Sequence, residues 1–368
     1  MHYLVPTGQA GADHLGSVIL NETGVFLWQL LSEERSTGEL ADLFIREYDQ
    51  DPERREEIAE VIAEYIYALS SKGAIISSGP TTPPITHLTI DIGGVKVSFS
   101  GSTNLIGDDV KGFATETTGE ADLHIAILQN AFTRGPVDGT MLIVRPNLSV
   151  FETEKGYTVF LYENRHVGEI RISRDFKQAV IAFRPAPDNT LLSDEVSTAI
   201  RMPFMLAALK KGMLYIHSTS VLYKDRAYLF SAAAGTGKST HATLWKECFG
   251  VDQINGDTNL LRIDGDRITV VGTPWCGTSD IRSAEDYPLG GIIFLKRDQS
   301  DFTEEFTGGA SLPALLARCI TPSWTGEMEE MIISSARQIA DRSMLLRLHC
   351  TKEPSAARVM KDYIDRHL

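Results

Sequence analysis

The sequence predicts a mixed fold, α/β with α+β, in three units. These are an N-terminal winged-helix module over 1–80, a central mostly antiparallel β region over 85–189 and a C-terminal α/β nucleotide-binding domain over 190–368. Three observations carry this. Ile58, Val61, Ile62, Tyr65, Ile66 and Leu69 recur at helical spacing as one apolar stripe. From Ile85 to about Ala186 the pattern turns to short alternating runs broken by Gly, Asn and Asp. Beyond that, a run of small residues from Ala232 to Gly237 separates a strand-like Tyr228-Leu229-Phe230 from a helix opened by Lys238-Ser239-Thr240.

The first unit starts with strand-like pieces at His2 to Pro6 and Ser17 to Leu20. A helix over Glu22 to Leu31 carries Phe26, Leu27, Leu30 and Leu31, and Asn21 is placed to cap it. The second helix opens with Ser36 and Glu39 at capping-box spacing and runs through Leu40, Leu43 and Phe44. The third holds the apolar stripe and stops at Lys72-Gly73. Ser77 to Pro84, rich in Ser, Gly, Thr and Pro, reads as an extended linker.

In the central unit, Leu88 to Ile92, Val95 to Phe99, Met141 to Val144, Tyr157 to Tyr162 and Ala179 to Phe183 read as strands. Met202, Met205, Leu206 and Leu209 then mark a helix in which Pro203 fits only the first turn. A turn-separated pair of strands leads into the small-residue loop. Ile268 to Val271 and Gly291 to Leu295 are buried-strand candidates, and Leu312 to Cys319 and Glu327 to Ala340 are helical.

Bulk properties exclude several classes. No apolar run approaches the roughly 18 residues of a membrane span, so a soluble chain with no membrane partner is expected. A net charge of -14 repels a phosphate backbone, which argues against nucleic acid. Residues 1–80 hold five Lys/Arg against fourteen Asp/Glu, a surface of solvated helix faces or one suited to a cationic segment. Cys248, Cys276, Cys319 and Cys350 are scattered without a CxxC pair, as in cytoplasmic thiols.

The loop at Ala232–Ser239 has the chemistry of a phosphate cradle. Ala234, Gly235, Thr236 and Gly237 are small enough for successive backbone N–H groups to turn onto phosphate oxygens, and Thr240 lies in the first helical turn. Lys238 would reach the β- and γ-phosphates of ATP, and the Ser239 hydroxyl would ligate Mg²⁺. Ala232 stands where the motif has its first glycine, so the turn there must form at negative φ or differ slightly. Asp257, 18 residues beyond Ser239, is the carboxylate candidate for base and metal ligand, although Asn255-Gly256-Asp257 is also ordinary turn chemistry. His217, before the loop, is a supporting acid–base candidate or a buried core histidine. Thr273 to Thr278 reads as a loop over the substrate or as a tryptophan anchor, and Cys276 lacks a nearby histidine for nucleophilic work.

His217, Ala234-Gly235-Thr236-Gly237-Lys238-Ser239, Asp257 and Gly272-Thr273-Pro274 together resemble the HPr serine kinase/phosphorylase family, itself similar in core fold to ATP-dependent phosphoenolpyruvate carboxykinase. The resemblance covers about 190–365. It implies a serine kinase with Lys238, Ser239 and Asp257 acting on Mg-ATP, His217 supporting, and a homo-oligomer. Gly256 precedes a lone Asp257 where the family commonly has two adjacent acids, so the resemblance extends to phosphorylation rather than phosphorolysis.

Ile19-Leu20-Asn21-Glu22-Thr23-Gly24 running into Phe26-Leu27-Trp28, with the two later helices, resembles the PqqD family of peptide chaperones. That resemblance implies a precursor leader peptide docking at residues 1–80 as an added strand. Together the two imply a peptide-directed kinase in ribosomal peptide modification, similar to kinases of lasso-type peptides. A small-molecule kinase and a nucleotide-gated peptide chaperone are the rival expectations.

Overall fold

The computed structural model describes residues 2–4, 18–71, 75, 88–116, 119–133, 136–184, 189–233, 235–277, 279–307 and 309–367. The expected linker at 77–84, the helix stop at Lys72-Gly73 and the loop residue Ala234 lie outside these. The chain is a mixed α/β protein with a helical N-terminal region and a sheet-rich remainder.

In the N-terminal region β1 (His2–Leu4) pairs antiparallel with β2 (Val18–Leu20). Helix α1 (Glu22–Leu30) is capped by Asn21, whose side chain accepts from the Gly24 N–H at 2.8 Å. Helix α2 (Thr37–Glu47) opens with a complete capping box. Ser36 Oγ accepts from Glu39 N at 3.2 Å, and the Glu39 carboxylate accepts from Ser36 N at 2.7 Å. That backbone bond, with the Ser36 hydroxyl, holds the Glu39 carboxyl below its ordinary range. Helix α3 (Arg55–Ser71) follows, and Leu27, Leu40, Ala41, Ile58 and Ile62 close a core of their own. The helical stripe is real for Ile58, Ile62 and Leu69, but Val61 is 60% exposed: it sits at the margin of the stripe, beyond the reach of α1 and α2. Removing the box with Ser36→Ala is expected to cost about 1 kcal/mol. Thermal melting followed by helical circular dichroism should show it as an earlier loss of this region's signal.

Eight strands form the first sheet: β3 (Leu88–Ile92), β4 (Val95–Gly101), β5 (Leu123–Gln129), β6 (Thr140–Val144), β7 (Leu148–Thr153), β8 (Gly156–Leu161), β9 (Val167–Ser173) and β10 (Gln178–Phe183). Their order is β3-β4-β5-β10-β9-β8-β7-β6, with β5 parallel to both neighbours and the other pairings antiparallel. Alternation sets the faces: Val95, Val97 and Phe99 point to the core, and Lys96, Ser98 and Ser100 point away. A one-turn helix, α4 (Asp108–Lys111), follows β4.

Helix α5 (Asn189–Lys210) corrects the sequence expectation, because Pro203 lies well inside it and not in its first turn. The ring removes an N–H that would bond the Ala199 carbonyl, a local cost that burial outweighs. Ile200, Phe204, Leu206, Ala208 and Leu209 are all but inaccessible, and the helix packs on β4, β5, β9 and β10 as well as on β11 (Leu214–Tyr223) of the second sheet. One hydrophobic core therefore runs through both sheets.

The second sheet continues with β12 (Arg226–Ser231), β13 (Gln253–Asn255), β14 (Thr258–Asp264), β15 (Arg267–Val271), β16 (Tyr287–Arg297), β17 (Phe302–Glu305) and β18 (Leu345–Cys350). Strand β12 is held on both sides, antiparallel by β11 and parallel by β16. The long β11 pairs β14 through its first half and β12 through its second. Helices α6 (Lys238–Phe249) and α9 (Pro354–His367) cover one face, burying Trp245, Phe230 and Met360 between them. Helices α7 (Ser311–Leu316) and α8 (Gly326–Arg342) complete the chain. The helix expected to reach Cys319 stops at Leu316, because residues 318–320 find better partners on the open edge of β11. His217 N donates to Arg318 O at 2.9 Å, and Ile320 N donates to Tyr215 O at 2.9 Å. Among the described residues no helix is long and apolar enough to cross a membrane.

Candidate active site

Strand β12 ends at Ser231 and α6 begins at Lys238; between them residues 232, 233 and 235–237 are described and are neither helix nor strand. Gly235 and Gly237 hold φ of +73° and +122°, a region that side chains with a Cβ rarely adopt. Ala232 is buried and keeps a negative φ, as its replacement of glycine requires. Gly237 is the N-cap and brings no side chain to the first N–H groups of α6. Such a terminus, with the open space around Gly235, fits an anion of phosphate size. Ser239 and Thr240 are exposed on the first turn. The Arg297 side chain braces the loop from outside, donating to the carbonyls of Gly235 and, at 3.0 Å, Thr236.

Three of the expected residues come together at the loop's mouth. His217 Nε2 lies 3.0 Å from Lys238 Nζ and 3.1 Å from Asp257 Oδ1. The two contacts compete for one nitrogen: unprotonated, Nε2 accepts from Lys238; protonated, it donates to Asp257. Burial pushes the Lys238 ammonium below its ordinary range; nearby Asp257 opposes that shift and Arg318 adds to it. The His217 backbone is anchored as well, since Ser231 Oγ donates to His217 O at 2.7 Å.

Asp257 sits in the bend between β13 and β14. Asn255 makes the turn, its Oδ1 accepting from the N–H groups of Asp257 and Thr258 at 3.0 Å each. Asp257 O accepts from Ser218 N at 3.0 Å, which ties the bend to β11 beside His217. Asn255 thus makes the turn, and the Asp257 carboxylate is left to face the histidine. Gly256 has a steric reason: a Cβ there would lie 1.9 Å from Ser279 Oγ, so an acidic neighbour to Asp257 has no room. Gly277, at φ +64°, packs so closely that a Cβ would lie 2.6 Å from Asp257 Oδ2.

The Thr273–Gly277 loop acts as a buttress. The Trp275 carbonyl accepts from Asn255 Nδ2 at 3.1 Å and Thr258 Oγ1 at 3.2 Å, while the buried indole donates to Ser197 O at 2.9 Å. Cys276 is buried, with Arg282 Nη1 at 3.7 Å from its sulfur.

Two residues escaped the sequence reading. Arg297 ends β16, and a cation just past a buried strand was the available signal. Arg318 is half-buried beside His217 and has no hydrogen bond from its side chain or ion pair among the described residues. No local pattern marks it. Among the described residues no group of three or more His, Cys, Asp or Glu could hold a metal, so a cation here would draw on Ser239, Asp257, phosphate oxygens and water.

His241, one turn into α6, adds a pH dependence. It is buried, its Nε2 accepts from Trp245 Nε1 at 3.2 Å, and burial pushes its pKa down to about 4. The native imidazole stays neutral where the unfolded one binds a proton. Its stabilising contribution is therefore full above the ordinary histidine value of 6.5 and is lost as pH falls toward 4, by about 3 kcal/mol. Denaturant midpoints between pH 7 and pH 4 should fall accordingly, and His241→Gln should flatten that stretch.

Residues 13–75 match the family model of coenzyme PQQ synthesis protein D (PqqD). Among solved structures, the chain is similar to the Hpr(Ser) kinase/phosphatase from Coxiella burnetii at 9% identity, over 42% of this chain and 97% of that one, with a TM-score of 0.26. At that score no common fold is established. No curated protein matches the chain.

Proposed function

We propose that this protein transfers the terminal phosphate of ATP to a hydroxyl, serine foremost, of a peptide delivered by its PqqD-like unit. The observation that carries the reading is the meeting of Lys238, His217 and Asp257 at the mouth of an uncapped, glycine-lined helix terminus. In this reading residues 1–80 form a winged-helix docking unit, 85–189 the β region and 190–368 a P-loop domain. The backbone of 234–237, with Ser239 and Thr240, holds the triphosphate, and Lys238 offsets charge on its outer phosphates. Ser239 and Asp257 hold Mg²⁺, which screens the phosphates. Asp257, with His217 beside it, orients the acceptor hydroxyl and takes its proton as the new O–P bond forms and ADP leaves. A cavity of about 270 Å³ beside α6, lined by Thr240, His241, Arg297 and Lys352, has room for the rest of the nucleotide. The two-stranded β1–β2 sheet supports peptide docking by strand addition.

The test is γ-labelled ATP with Mg²⁺ and precursor peptides that carry a leader. Label on a peptide serine that requires both Lys238 and residues 1–80 is the expected result. ATP and peptide binding without label would replace it with a nucleotide-gated chaperone.

A further inference from the structure

Beside the Trp275–Gly277 loop lies a cavity of about 710 Å³. One wall is a single face of α5, where Ser193, Asp194, Ser197, Thr198 and Arg201 recur at helical spacing. Residues 107–110 form a second wall, and Pro274 to Gly277 with Asp280 and Arg282 form the third. The volume is within the range of sites that enclose a small molecule or a short peptide segment. The cavity reaches the candidate catalytic groups at Gly277, whose backbone lies against the Asp257 carboxylate.

Charge and burial narrow what it takes. Asp108, Asp194 and Asp280 are exposed at the rim, where water solvates them, and Arg282 is paired with Asp109 at 2.9 Å. Arg201 differs from all of these. It is half-buried and makes neither a hydrogen bond nor an ion pair among the described residues. A guanidinium partly withdrawn from water without a partner is costly, and its forked donors match a carboxylate two-for-two. The rim carboxylates lose little by staying solvated; Arg201 gains most from a bound anion.

We propose that this cavity seats the hydroxyl-bearing segment of the acceptor and that Arg201 holds a carboxylate of that segment, from a chain terminus or an acidic side chain. The role of the segment as acceptor rests on the phosphotransfer reading; the binding does not. Arg201 fixes the segment's register so that its hydroxyl lies at the Gly277 end, next to Asp257.

Three hexapeptide libraries with one central serine test this: one neutral with a free C-terminal carboxylate, one C-terminally amidated, and one amidated with a glutamate two residues from the serine. Equilibrium dialysis against the full chain, read by mass spectrometry, measures retention without any phosphate transfer. One or both acidic libraries should be retained at least about tenfold over the neutral amide. Which one is retained identifies the source of the carboxylate. Arg201→Gln should abolish the preference with ATP affinity unchanged. Thr198→Trp, on the exposed part of the same helical face, should block retention of all three. Equal retention by the wild type, or a preference that survives Arg201→Gln, overturns the assignment. Retention of an acidic library, with no label transferred from ATP to a leader-bearing precursor that contains the retained sequence, would sink the phosphotransfer reading and leave this site standing.

Discussion

Asp257→Asn is expected to lower the rate of phosphate transfer by about 100- to 10,000-fold, the range for loss of a positioned general base. The amide is nearly isosteric and can still sit beside His217 Nε2, now 3.1 Å from Asp257 Oδ1, and against Gly277, so the bend should survive. What disappears is the group that takes the acceptor's proton in the proposed reaction, and with it the negative charge near Lys238. Because the carboxylate lies outside the glycine-lined loop and reaches the nucleotide only through Mg²⁺, ATP affinity measured without the metal should stay within about threefold, and the loss should fall mainly on kcat. Single-turnover rates with isothermal titration of ATP check both halves. An unchanged rate would remove Asp257 from the chemistry.

Lys238→Ala should fail differently. Its ammonium is buried enough to be pushed below its ordinary range, and its Nζ is directed at His217 Nε2 at 3.0 Å. Removing it takes away a charge-assisted contact to the phosphates, worth about 1.5–3 kcal/mol, so ATP binding should weaken by about tenfold to a hundredfold along with turnover. Lys238→Arg should not rescue, since the planar fork is bulkier than the point charge that the loop encloses. Retention of full ATP affinity by Lys238→Ala would show that this loop does not hold the nucleotide.

What the sequence made legible was local. The strand, small-residue loop and helix around Lys238 follow from composition and order, and Ser36 with Glu39 announced the start of α2. The meeting of His217 with Asp257 was legible only as candidates, because their contact depends on how β11 pairs with the bend after β13. Arg318 arrives through a backbone bridge between distant segments, Ile216 to Cys319, and nothing near it in sequence signals that. Pro203 misled for the opposite reason: the local penalty is real, but a helix buried between two sheets absorbs it. Arg201 combines both cases, since only the assembled cavity reveals a guanidinium without a hydrogen-bond or ion-pair partner among the described residues.

Helix α5 has a practical consequence for anyone seeking a minimal fragment that keeps the candidate site. A cut at residue 189 would leave Leu192, Val196, Ile200 and Phe204 facing water where β4, β5, β9 and β10 had been. Such a fragment should be sticky and quick to aggregate, and the shortest piece worth expressing begins ahead of β3. In a calorimeter the two sheets should melt as one peak, with the PqqD-like region, which has its own core of Leu27, Leu40 and Ile62, free to melt as another.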